Sequence, residues 1–107
     1  MNEVKVNMLN KLKEVAQNVV PSGGQVWLYG SRARGDYRDK SDWDLLILVD
    51  QPHIKSSDED NISFPFVEMG WHQAADISPL IYTFEEWNQR EASPFWQNVE
   101  REKIRIL

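Results

Sequence analysis

The sequence predicts a single α+β domain, on three observations. An amphipathic stripe opens the chain, an unbroken apolar run lies near its middle, and helix-like segments alternate with strand-like ones to the end. At 107 residues the chain is near the common size of one domain and large enough for one core. It contains no internal repeat and no low-complexity tract.

Residues 2–19 carry Val4, Met8, Leu12, Val15 and Val19 at intervals of three and four, with Leu9 and Ala16 beside them. That spacing is one face of a helix. A Pro-Ser-Gly-Gly run at 21–24 ends it. Residues 25–29 (QVWLY) form a short strand of side chains suited to a pleated, buried surface. Gly30 breaks the strand, and Ser31 is placed to cap a short helix over residues 32–35. A polar loop at 36–41 follows. Residues 43–49 (WDLLILV) are the second strand, whose continuous apolar run predicts burial on both faces at the centre of a sheet.

Residues 51–60 are polar and acidic, a linker or helix lead-in. Residues 62–75 have helical spacing interrupted by Pro65, which fits the first turn of a helix running to about residue 74. Residues 77–83 (ISPLIYT) read as a third strand, and Pro79 predicts a sheet edge. Residues 84–90 are a short helical piece. Ser93 and Pro94 open the last helix, as cap and first helical residue, and it is expected to run to about Lys103. The terminal VEREKIRIL reads as a solvated helix end, with Ile104, Ile106 and Leu107 as packing or partner contacts.

Lys and Arg total 12 against 17 Asp and Glu, a net charge of -5, which argues against a general nucleic-acid or membrane-surface binder. Arg32, Arg34, Arg38 and Lys40 still make one local basic spot. With no cysteine, disulfides and thiolate metal sites are excluded. No segment approaches the roughly 18 apolar residues of a membrane span, so a cytoplasmic protein is expected. The five tryptophans are expected to serve packing. His53 and His72 are isolated, as surface or packing residues are.

The chemistry concentrates in YGSRARGDYRDKSDWDLLILVD, residues 29–50. In a strand, Asp42 and Asp44 point the same way and Trp43 points into the opposite layer. Two adjacent carboxylates repel, and a divalent cation relieves the repulsion. Mg²⁺ typically takes one or two carboxylates plus substrate phosphates. Gly30 allows close approach of a phosphate to the backbone, and Ser31 with the first amides of a short helix can hold anionic oxygens. Arg32, Arg34 and Lys40 add positive charge. Ser41 either touches phosphate or closes the loop by a local hydrogen bond. An Asp-x-Asp pair alone is usually solvated loop charge; in this strand-turn-helix-loop-strand order it reads as a metal and triphosphate site.

Gly30-Ser31, ten residues, then Asp42-x-Asp44 resembles the signature of the polymerase-β-like nucleotidyltransferases. The stretch GSRARGDYRDKSDWDLLI is similar to the minimal nucleotidyltransferase subfamily, small proteins often encoded beside HEPN-domain partners. The resemblance implies a nucleotidyltransferase fold, a small mixed β-sheet with helices packed against one side, spanning residues 1–107. It implies that Gly30 and Ser31 contact the triphosphate, with Arg34 near it, and that Asp42 and Asp44 hold two Mg²⁺ ions. The family needs a third carboxylate on a neighbouring strand as metal ligand and general base. Asp76, at the entrance of residues 77–83, is the candidate, and Glu68 the fallback.

The implied reaction is transfer of a nucleotidyl group, AMP from ATP, to an acceptor hydroxyl. Two other readings share the signature: a non-catalytic subunit that masks a HEPN-type partner, and an antibiotic-modifying adenylyltransferase, which ordinarily carries an added substrate domain. Homo-oligomers are compatible with all three. No Gly-Lys-Ser/Thr P-loop and no Gly-x-Gly-x-x-Gly fingerprint is present.

Overall fold

The computed structural model describes residues 3–107. The first helix, α1, spans Glu3–Val19 and buries Met8, Leu12 and Ala16, the stripe its spacing predicts. Residue 2, included in that expected helix, lies outside the described residues. Strand β1 is Gln25–Tyr29, α2 is Ser31–Arg34 and β2 is Trp43–Val49. A π-helical turn, Glu59–Ser63, runs into α3, Phe64–His72, with Pro65 in the first turn. Then come β3 (Ile77–Thr83), α4 (Phe84–Asn88), α5 (Pro94–Glu102) and β4 (Ile104–Arg105). Ser93 caps α5, its hydroxyl accepting from the Trp96 amide at 3.1 Å.

The sheet is mixed, in the order β3-β2-β1-β4. β1 runs antiparallel to β2 and to β4, while β2 and β3 are parallel. A parallel neighbour needs a long return path, which the π-helical turn and α3 provide. β2 is central, and every residue from Trp43 to Val49 except Asp44 is buried. β3 is an edge strand, where Pro79 is tolerated because no outer neighbour needs its missing donor.

Alternation along the strands divides the interior into two cores. On one face Val26, Leu28, Leu45, Ile47 and Val49 pack with Leu12, Ala16 and Phe66 from α1 and α3. On the other, Tyr29, Leu46 and Leu48 pack with Trp87 of α4 and Val99 of α5. The longer helix pair therefore lies on one side of the sheet, and the two C-terminal helices add a smaller layer on the other.

Three local expectations change. Ser31 is the first residue of α2 rather than its cap; Gly30 takes the cap position, without a side-chain cap bond. The terminus after Glu102 leaves the helix and pairs as β4 with Trp27 and Leu28. The Ile106 amide donates to the Val26 carbonyl at 2.8 Å, and Ile106 joins the larger core. Tryptophan use is also mixed: Trp43 and Trp87 are buried, but Trp71 is 61% exposed.

Candidate functional site

The site starts from one backbone requirement. Gly30 has φ 76° and ψ -160°, a region essentially restricted to glycine. A Cβ there would overlap an Asp44 carboxylate oxygen and stand 3.3 Å from Asp44 Cγ. The bare glycine thus gives Asp44 the space in which its carboxylate sits. Gly35, with φ 94°, ends α2, its amide bonding to the Ser31 carbonyl at 2.9 Å.

Asp44 stands between Tyr29 on β1 and Ser78 on β3. Burial first, and then the charge of Asp42, push its carboxyl above the usual carboxylate range; Arg34 opposes the shift and Glu102 adds to it. Asp42, just before β2, is exposed and accepts from the Ser78 hydroxyl at 3.2 Å. Tyr29 is raised to about 12 by burial and by Asp44, so its phenol stays protonated.

A cleft of about 610 Å³ opens beside Asp44. Tyr29, Gly30, Ser31, Arg34 and Asp44 form one wall, and Phe95, Asn98, Val99, Arg101 and Glu102 of α5 form the other. Arg34 bridges the walls, with Nη1 2.7 Å from Glu102 Oε2 and Nε 3.2 Å from Asp36 Oδ2. The Glu102 bond and then the Asp36 bond hold the guanidinium in its charged form.

Arg32, expected to add positive charge to this site, does something else. It is 7% exposed, and its guanidinium lies 4.5 Å from the centroids of both Tyr37 and Trp43. It donates to the Ser41 carbonyl at 3.0 and 3.2 Å and to the Asp39 carbonyl at 3.2 Å. Arg32 therefore pins the loop that leads into Asp42. Of the two roles open to Ser41, the structure shows loop closure: its hydroxyl accepts from the Arg38 amide at 2.8 Å.

Ser41 and Asp76 line a separate cleft of about 230 Å³ with Arg32, Asp39 and Lys40. The Asp76 carbonyl accepts from the Trp43 amide at 2.9 Å, so its backbone continues the β2–β3 ladder. Among the described residues no three His, Asp or Glu side chains are grouped to hold a metal. The register pairs Trp43 with Ile77 and Asp44 with Ser78, so Asp76 precedes β3 level with Asp42 preceding β2. Glu68 is exposed on α3, which packs against the opposite face. His53 and His72 are exposed.

The structure brings Gly30, Ser31, Arg34 and Asp44 into one cleft, with Asp42 acting on Asp44 by its charge and bonded to Ser78, while Ser41 and Asp76 line another. Sequence reading missed Ser78, Glu102 and the cleft face of α5. Period-two alternation from Asp76 could have found Ser78; nothing local marks the others.

Two carboxylates on an open cleft suit a hard divalent cation that completes its shell with water or phosphate oxygens, and do not make a closed all-protein cage. Fold and site together define a small α+β domain with a carboxylate-bearing cleft at one end of its central strands. The nucleotidyltransferase-domain family model matches residues 9–105, and the chain belongs to that family. No curated protein matches the chain.

Among solved structures, a toxin–antitoxin complex with AMP-PNP is similar over 92% of this chain and 72% of that one, at 17% identity and TM-score 0.65. A Sulfolobus solfataricus protein taken to be a nucleotidyltransferase matches over 96% and 82%, at 24% identity and TM-score 0.64. The toxin–antitoxin MntA–HpeT, carrying two aspartate-to-glutamate substitutions two residues apart, matches over 92% and 71%, at 15% identity and TM-score 0.63. At these identities the likeness shows the fold. No helix among the described residues is long and apolar enough to cross a membrane.

Proposed function

We propose that the protein transfers a nucleotidyl group, AMP from ATP, to an acceptor hydroxyl, with Asp42 and Asp44 as ligands for two Mg²⁺ ions. The observation that carries this reading is the Asp44 carboxylate lodged over Gly30, in one cleft with Ser31 and Arg34 and beside Asp42. The neighbour with AMP-PNP supports the nucleotide, and the aspartate pair substituted in MntA–HpeT has the spacing of Asp42 and Asp44.

Bound Mg²⁺ would neutralise phosphate charge and lower the acceptor's pKa. The chain's own part is placement. The Gly30–Ser31 turn seats the phosphates, and Arg34, held by Glu102, offers charge from across the cleft. Ser78 orients Asp42, and Arg32 holds the loop behind it. Positioning and charge neutralisation then supply most of the rate. Asp76, the residue before β3 as Asp42 is the residue before β2, is the proposed third carboxylate and general base toward the acceptor hydroxyl.

The test is thermal unfolding with and without Mg·ATP. A ligand that binds only the folded state stabilises it by about 2.7 kcal/mol at a hundredfold excess over Kd. The Asp42→Asn/Asp44→Asn variant should fold and lose that shift. Parent-like Mg·ATP binding by this variant would overturn the proposal.

A second reading has its own observation. Phe64 and Trp71 form an exposed edge-to-face pair on α3, 5.7 Å between centroids, on the side away from the cleft. With two toxin–antitoxin neighbours, this patch supports a masking subunit of a HEPN-type protein. Masking has no need of metal ligands, so complex formation by the double variant separates it from catalysis.

A further inference from the structure

The cleft has two chemically different ends. Gly30, Ser31, Arg34 and Asp44 form a polar end suited to phosphates and a cation. Tyr29, Phe95, Asn98 and Arg101 form an aromatic and amide end, three of them from α5. We propose that this second end is the nucleoside subsite, with Phe95 as the stacking platform for the nucleobase and Asn98 as a hydrogen-bond donor to its edge. This rests on the nucleotidyltransferase reading above.

Phe95 is 43% exposed, although its neighbours Tyr29 and Trp87 are buried. Its ring stands edge-on to Tyr29, 5.7 Å between centroids at 85°, and edge-on to Trp87, 6.1 Å at 87°. Two perpendicular contacts fix the ring while part of its surface stays open to the cleft. A planar heteroaromatic ring covers such a surface by stacking, whichever base it carries. The Asn98 Oδ1 accepts from Arg101 Nη2, which leaves the amide nitrogen to donate. Ring nitrogens and carbonyl oxygens on a base edge are the matching acceptors.

The platform is also held in place. Ser93 caps α5 at one end, and Arg34 ties Glu102 to the opposite wall at the other. Between them the Trp87 indole donates to Glu100 at 2.9 Å, and Lys103 Nζ lies 2.7 Å from the same carboxylate oxygen. A rigid support of this kind lowers the ordering cost of binding. At about 610 Å³ the cleft lies in the range of pre-formed small-molecule sites.

Calorimetric titration of the full chain with Mg·ATP and with Mg·tripolyphosphate tests the assignment. Phe95→Leu keeps apolar packing but removes the stacking face, and should weaken Mg·ATP by roughly 5- to 100-fold. Mg·tripolyphosphate, which has no base, should bind that variant within about twofold of the parent. Phe95→Tyr keeps the ring and should restore ATP binding. Asn98→Ala, at an exposed position, should fold as the parent and weaken only ATP.

Unchanged ATP affinity in Phe95→Leu and Asn98→Ala would overturn the subsite. So would an equal loss of both ligands, which would mean that α5 only packs. Failure of the parent to bind either ligand would overturn the nucleotidyltransferase reading itself, and this proposal with it.

Discussion

Replacing Gly30 by alanine tests the link between backbone and site most directly. The residue sits at φ 76° and ψ -160°, where an L side chain costs about 1–3 kcal/mol of strain. For a domain of this size each kcal/mol moves Tm by roughly 4–8 °C, so Gly30→Ala should unfold roughly 5–20 °C earlier. The added methyl also occupies the place of the Asp44 carboxylate, which can yield only by swinging away from the cleft. Thermal unfolding should therefore show both a lower baseline and loss of the Mg·ATP shift. In an Asp44→Ala background the obstacle is gone and only backbone strain remains, so Gly30→Ala should cost less there. A variant that melts within about 1 °C of the parent and keeps the full Mg·ATP shift would refute the argument. Strict additivity with Asp44→Ala would refute the steric part alone.

The two arginines of the motif should separate. Arg32→Leu removes three hydrogen bonds and contacts with two rings from a buried guanidinium, a loss of about 2–4 kcal/mol in urea unfolding. Arg34→Ala breaks a half-exposed ion pair and should leave the urea midpoint nearly unchanged, while weakening triphosphate binding. The reverse pattern would reassign both residues. The pH dependence follows from Asp44. Its folded pKa is raised, so its contribution to stability is fully present below the unfolded value near 3.9 and is lost as pH rises through the folded value. Mg²⁺ needs the ionised carboxylate, so the Mg²⁺-induced Tm shift should grow over that window and flatten above it. A shift independent of pH would remove Asp44 from the metal site.

Much of this was legible because the signals are local. The α1 stripe, the apolar run of β2, Pro79 at an edge and the Ser93-Pro94 helix start each depend on residues a few positions apart. So does the pairing of Asp42 with Asp44 on one side of Trp43, since strand alternation alone places them. These elements, the order in which they follow one another, and the family marked by GSRARGDYRDKSDWDLLI all rest on residues close together in the chain.

Tertiary structure decided whatever depends on pairs distant along the chain. Arg32 and Arg34 look alike in sequence, but one is enclosed by Tyr37 and Trp43 while the other meets Glu102, 68 residues away. Which β3 residue stands level with Asp44 depends on the β2–β3 register, and that register sets Ser78 there and Ile77 beside Trp43. The role of α5 as the second wall of the cleft arises in the same way, from Trp87 and Val99 packing under Tyr29 and Leu46 on the far side of the sheet. Local periodicity records which side of an element is apolar, and only the closed core determines which other element that side meets.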